Sequence, residues 1–163
     1  MERDIQEIKV VCFRLGSETY ALDIMRVREI IKPIRLSGLP DAPSFVEGVI
    51  NLRGSVIPVV DLRKRFGLTE PADGGERRFL ITVVARQPLA LVVDAVTEVV
   101  SLPVRELRPP PALVRVAGYR YLIGVCLVRN SMVFLVNLDA ILDPCESDEL
   151  TLFHDDSDES EGG

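Results

Sequence analysis

The chain has no tryptophan, one histidine and three cysteines in 163 residues, and its aromatic content is 6%. Each shortage excludes something. A lone histidine, His154, builds no Ser-His-Asp or Cys-His set for nucleophilic catalysis. Cys12, Cys126 and Cys145 are too few and too scattered for a disulfide framework or a zinc site. Cys12 and Cys126 sit in apolar runs and read as small buried hydrophobes in a reducing compartment. There is no glycine-rich phosphate loop, no C-x-x-C and no H-E-x-x-H. The expectation is a protein that is not an enzyme, with no cofactor and no metal. No apolar run approaches the ~18 residues that a membrane span needs. Met1-Glu2-Arg3-Asp4 carries no signal-peptide pattern, so a cytoplasmic protein is expected.

Scarce aromatics also count against nucleic acid, because single-strand binders stack bases on aromatic side chains over a basic face. Arg63-Lys64-Arg65 with Arg77-Arg78 is the one basic concentration, and a solvated helix face explains it. The net charge of −6 is unevenly spread. Eight of the 25 acids lie from Glu146 onward with no Lys or Arg among them, leaving 17 acids against 19 bases in the body. Residues 146–163 therefore read as an acidic, disordered tail, and residues 1–9 as a frayed start.

What the chain does have is a regular alternation of apolar runs and turns. Phe45 to Phe66 is the most apolar stretch, and two Val- and Ile-rich runs flank Arg53-Gly54. Glycine at such a tip supplies positive φ, so this is a predicted β-hairpin. Pro58 places the second strand at an edge or a bulge, because proline cannot donate to a ladder. Val10–Leu15 with Tyr20–Leu22, Phe79–Ala85 with Leu89–Val93, and Tyr121–Val128 with Met132–Val136 read as further hairpins. Ile24, Val27 and Ile31 follow Asp23 at i, i+3, i+7, which predicts a short helix stopped before Pro33, with strand character from Ile30 onward. Asp94–Leu102 has the same ambiguity. Asp61–Gly67 reads as a short helix with Arg63, Lys64 and Arg65 toward solvent. Glu70–Arg78 is a polar connector, and Pro103–Pro111, with four prolines, is a loop.

The two halves match each other. With Gly48 placed on Gly124, Val49 meets Val125, Arg53 meets Arg129, Ser55 meets Ser131 and Val60 meets Val136. Upstream, Val27 lies on Val96, Glu29 on Glu98, and Ile30-Ile31 on Val99-Val100. Five short strands per half avoid exposed edges best by closing into small barrels. The expected architecture is mainly β: two pseudo-symmetric five-stranded barrels with short helices and a cleft between them. The domain spans 10–145, with intertwined subdomains at about 10–70 and 77–145. Each half, at about 65 residues, has only a marginal core alone, so two independent folding units are not expected.

Phe13 to Ile31 (F-R-L-G-S-E-T-Y-A-L-D-I-M-R-V-R-E-I-I) and Leu39 to Leu68 (L-P-D-A-P-S-F-V-E-G-V-I-N-L-R-G-S-V-I-P-V-V-D-L-R-K-R-F-G-L) resemble the chemotaxis coupling proteins of the CheW family. Val92 to Leu102 and Tyr121 to Val125 fit the second half of that pattern, and the likeness runs from about Val10 to Asp143. The acidic tail lies outside it. The resemblance implies two five-stranded, SH3-like barrels and a non-catalytic adaptor. Its partners would be the regulatory domain of a CheA-type histidine kinase and the cytoplasmic tip of a methyl-accepting chemoreceptor, in a receptor array. Carried over residue by residue, the receptor side falls on Val27, Ile31 and Arg53, with Val96 and Val99 opposite. The kinase side falls on Leu39, Pro43, Phe45, Glu47 and Gly48. Core packing is the competing role for the valines, loop packing for the kinase-side residues, and an ion pair with Glu29 or Asp61 for Arg53. Two other functions stay open: a coupler in a non-flagellar pathway such as surface motility, and a barrel binding a small ligand or nucleic acid in its cleft.

Overall fold

The structure, a computed structural model, describes residues 6–68, 76–110 and 118–142. The acidic tail with His154, Cys145, residues 1–5, residues 70–75 of the connector and Pro111 lie outside them. Ten strands follow one another: β1 (Glu7–Leu15), β2 (Glu18–Asp23), β3 (Val27–Ile31), β4 (Val46–Leu52), β5 (Ser55–Asp61), β6 (Arg78–Val84), β7 (Gln87–Val93), β8 (Ala95–Pro103), β9 (Leu122–Val128) and β10 (Ser131–Val136). One helical turn, α1 (Leu62–Arg65), follows β5. Single 3-10 turns occupy Ile24–Arg26, Val104–Glu106, Tyr119–Tyr121 and Leu138–Ala140.

The strands form two five-stranded sheets, ordered β8-β1-β2-β10-β9 and β3-β6-β7-β5-β4. Moving every strand of one order five places along the chain gives the other, so the sequence repeat is a pseudo-two-fold of the fold. Each sheet takes strands from both halves. The chain crosses between sheets at β2→β3 and back at β7→β8. Neither ladder closes through its strands alone. Two isolated bridges complete the barrels: Ser37 exchanges both backbone hydrogen bonds with Val49 on β4 (2.8 Å each), and Arg108 does so with Val125 on β9 (2.9 and 2.8 Å). The repeat-matched glycines make room for these closures. A Cβ on Gly48, whose φ is +146°, would stand 2.2 Å from the Ser37 carbonyl oxygen, and one on Gly124 would stand 2.7 Å from that of Arg108.

Alternation along each strand divides the apolar residues among three cores. Val10, Cys12, Ala21, Cys126 and Leu135 fill the first barrel, and Ile50, Ile57, Val59, Phe79 and Ile81 fill the second. The opposite faces of both sheets meet in a shared core, which includes Phe13, Tyr20, Phe66, Tyr121 and Phe134. Neighbouring ring centroids there lie 5.4 to 6.2 Å apart. The shared core holds 21 buried described residues against seven inside each barrel. At about 1.5–3 kcal/mol per large apolar side chain, most of the burial energy lies between the barrels and not within them.

Three local expectations are corrected. The helix expected from Ile24 to Ile31 is one 3-10 turn, after which Val27–Ile31 is a strand paired with β6. Arg63 is not on the solvent side of α1: it is buried at 5% exposure and ion-pairs with Asp94. Pro58 is not on an edge strand, since β5 lies between β4 and β7. It is tolerated because the β7 ladder begins only at Val59.

Candidate functional site

The two crossing strands carry the candidate residues at repeat-matched positions. In β3 the pairing with β6 shifts register between Val27 and Glu29, so Val27 pairs with Thr82, and Ile30 pairs with Leu80. In the equivalent β8–β1 ladder, Val96 pairs with Phe13 and Val99 with Val11, across a register shift between Cys12 and Phe13. These shifts are β-bulges, which put residues three apart on one face. Val27 and Ile30 therefore share the face that looks toward the shared core, as do Val96 and Val99. Val27 and Val96 are partly buried against that core. Ile30 and Val99 stand farther out, at 40% and 50% exposure. Ile31 turns the other way and packs against the interior of the second barrel. Ile30 is the repeat mate of Val99, and its exposed position is not evident from sequence spacing alone.

Across each strand from this apolar face, on the side of Glu29 and Glu98, the hairpin tips supply charge. Arg53 follows β4 at the hairpin tip with φ +51°, and Gly54 comes next at +89°. The Asn51 side chain accepts a hydrogen bond from the Gly54 N–H (2.9 Å), which fixes the tip. The Arg53 guanidinium reaches back to Glu29 on β3. Arg129, at the β9–β10 tip, does the same to Glu98 on β8. The arginines are 68% and 69% exposed in their side chains. An exposed ion pair of this kind contributes only about 0–1 kcal/mol to stability, so both guanidiniums are free to meet a partner. Glu98 and Arg129 also bear on the first barrel's interior. Burial pushes the Cys12 thiol up to about 11; Glu98 adds to this and Arg129 opposes it.

The segment leading into β4 gathers the second group. Leu39 packs partly against the shared core. The Pro43 carbonyl accepts from the Val46 N–H (3.0 Å), and that of Phe45 accepts from the Asp61 N–H (2.9 Å). Phe45 is buried, with the Arg65 guanidinium 4.2 Å from its ring centroid. Glu47 pairs with Lys64 at 2.6 Å, and that hydrogen bond raises the lysine's pKa. Gly48 lies under Ser37. Leu39, Pro43 and Glu47 offer half-exposed surface, whereas Phe45 and Gly48 shape the backbone beneath them. On the other barrel an open hollow of about 440 Å³ is lined by residues including Arg108, Pro109, Leu127 and Met132. Among the described residues no group of three His, Cys, Asp or Glu could hold a metal ion, and no helix is long and apolar enough to cross a membrane.

Two intertwined barrel-like sheets, with exposed aliphatics on both crossing strands and exposed arginines at two hairpin tips, define a β-rich module whose exposed groups suit docking. The family model for the CheW-like domain matches residues 9–146, and the chain belongs to that family of scaffold and adaptor proteins, which are generally non-catalytic. It is 35% identical over 138 residues to the chemotaxis protein CheW of Treponema pallidum, covering 82% of this chain and 80% of that protein. It is 33% identical over 138 residues to protein FrzA of Myxococcus xanthus, covering 83% and 86%. The crystal structure of the scaffolding protein TtCheW from Thermoanaerobacter tengcongensis superposes with a TM-score of 0.79 at 33% identity, covering 90% of this chain and 94% of that one.

Proposed function

We infer that this chain is a non-catalytic cytoplasmic adaptor that couples the helical tip of a chemoreceptor to the regulatory domain of a CheA-type histidine kinase, within a receptor array. The observation that carries the reading is the pair of exposed aliphatics at repeat-matched positions on the two crossing strands, Ile30 and Val99, with the exposed Arg53 ion-paired to the strand that bears Ile30. Apolar side chains in a cleft take the ridge of a helix, and a charged residue at its margin fixes register. Val27 and Val96 extend that surface inward, and Ile31 supports it from inside the barrel. The kinase docks on the segment with Leu39, Pro43 and Glu47, shaped by Phe45 and Gly48. Such an adaptor biases the kinase only through unequal affinity for its two states. The likeness to FrzA supports a pathway other than flagellar swimming as readily as a flagellar one.

The test is calorimetric titration of the intact protein and of Arg53→Glu with a chemoreceptor tip fragment and, separately, with the kinase regulatory domain. The reading expects Arg53→Glu to lose receptor affinity, keep kinase affinity and melt normally. Unchanged receptor affinity in the folded variant overturns the site. The hollow beside Arg108 favours a second reading, a barrel for a small ligand. A metabolite screen that gives no thermal shift removes it.

A further inference from the structure

We propose that the chain's own acidic segment, from Glu146 onward, docks on a basic patch beside the kinase-side residues and competes with the kinase for that surface. The competition rests on the kinase-docking reading given above; the contact between segment and patch does not. The segment lies beyond the likeness to the CheW-like domain, whose match ends at residue 146.

The chain leaves the described fold at the patch itself. Arg65, on α1, donates its Nε–H to the Ile141 carbonyl at 2.7 Å, and Leu142 is the last described residue. The same guanidinium lies 4.2 Å from the Phe45 ring centroid and 5.1 Å from that of Tyr121. The exposed Arg120 bears on the Tyr121 ring too, at 5.5 Å. Lys64, the neighbour of Arg65 on α1, reaches Glu47 at 2.6 Å. Burial raises the pKa of Asp61, and the Glu47 hydrogen bond raises that of Lys64; Arg77 opposes both shifts, which places its charge near both groups. The Arg78 guanidinium folds onto the Arg77 carbonyl at 2.7 Å. Five cations thus gather where the chain exits, against Glu47, Asp61 and Glu76.

Charge and length fit the segment to this surface. From Glu146 on there are eight acids and no Lys or Arg, while the rest of the chain has 19 bases and 17 acids. Glu146, Asp148 and Glu149 come five to eight residues after Ile141. At ~3.5 Å per extended residue they reach about 17–28 Å from the point that Arg65 holds, enough to span the patch. A tethered segment meets such a patch at an effective concentration of order millimolar, so weak, salt-screened ion pairs suffice to cover it much of the time. Phe45 and Glu47 belong to the kinase-side residues, and the patch cations Arg65 and Lys64 lie against them. An acidic segment on those cations stands where the kinase docks, so segment and kinase exclude each other.

Two measurements on the full chain test this. In the first, Ser157→Cys in a Cys145→Ser background carries a nitroxide spin label, and amide signals are compared with the label oxidised and reduced. Cys12 and Cys126 are buried and stay unlabelled. At low salt the label should broaden Lys64, Arg77 and Arg120 more than Arg86, an exposed cation at the far end of β6 from Arg77. Salt at about 1 M cuts the screening length to about 3 Å and should abolish the difference, as should exchange of the eight acids for Asn and Gln. Equal broadening of Arg86 and the patch at low salt overturns the contact. In the second, the kinase regulatory domain is titrated into the native chain and the Asn/Gln variant, with melting curves for both. The variant should bind about three- to tenfold tighter at low salt, and equally at high salt. Affinity lowered in the variant, or unchanged at low salt, overturns the competition. No kinase binding by either folded form overturns the adaptor reading and the competition with it, while the spin label still decides the contact.

Discussion

The Arg63 guanidinium lies 2.6 Å from the Asp94 carboxylate, with both side chains buried. The same Asp94 oxygen accepts the Gly16 N–H at 2.8 Å. Gly16 belongs to the β1–β2 turn of the first barrel and Arg63 to the helical turn of the second, so this carboxylate ties the barrels together where the chain crosses back. At the other crossing Arg26 reaches Asp139 at 2.7 Å and the Val83 carbonyl at 3.0 Å. Asp139 stands at the repeat position of Arg63, so the two crossings carry clamps of opposite polarity, one buried and one exposed.

The buried clamp should be costly to break. Arg63→Met leaves the Asp94 charge without its partner and should destabilise by about 3–5 kcal/mol, read from urea unfolding. Arg63→Met with Asp94→Leu should recover part of the loss, because the uncompensated charge is gone while the Gly16 N–H still lacks its acceptor. A double variant no better than the single one contradicts this account of the pair.

The exposed clamp should behave oppositely. Its hydrogen bond and charge raise the pKa of Arg26 and lower that of Asp139. A lowered folded-state pKa gives stability that is present above the unfolded value and is lost as pH falls through the folded one. Asp139→Asn should therefore change the unfolding midpoint slightly at neutral pH, less in high salt, and not at all in strong acid.

Barrel closure gives a glycine series. Gly48→Ala meets the Ser37 carbonyl and a positive φ together, so it should cost more than Gly124→Ala, which meets only the Arg108 carbonyl. Strain of this kind costs on the order of 1–3 kcal/mol. Gly38→Ala has nothing within 4 Å and is the neutral control. Equal melting temperatures for Gly48→Ala and Gly38→Ala would falsify the closure argument.

Alkaline pH should unfold the protein through its cores. Burial pushes the Cys12 thiol from 9.0 to about 11 and the Tyr20 hydroxyl from 10.0 to about 12. Both groups are almost fully protonated in either state below about pH 8. Above that the unfolded chain loses protons first, so stability falls between pH 9 and 12. The urea midpoint should drop across that window, and by less in Cys12→Ala and Tyr20→Phe. In a Cys145→Ser background, Cys12 and Cys126 should react with a thiol reagent no faster than the chain opens.

The hairpins were legible in the sequence because glycine, asparagine and proline mark their tips and apolar residues alternate between them. The repeat was legible for the same reason, and it paired Glu29 with Glu98 and Arg53 with Arg129 before their ion pairs were seen. The helix expected over Ile24–Ile31 shows why the rest was not. A bulge inserts one residue, so Val27 and Ile30 share a face at a spacing of three, which in sequence has the look of a helix. Ile31 then packs into the barrel while Ile30 stands exposed on the opposite face. Arg63 was misplaced because α1 is a single turn with no periodicity to read, and its partner lies 31 residues away.

Kinase activity tests the central claim most directly. A CheA-type kinase and receptor-bearing membranes are assayed for autophosphorylation with the intact protein, without it, and with Arg53→Glu. An adaptor predicts that receptor ligand changes kinase activity only when the intact protein is present. Equal ligand control with and without the folded protein would contradict it.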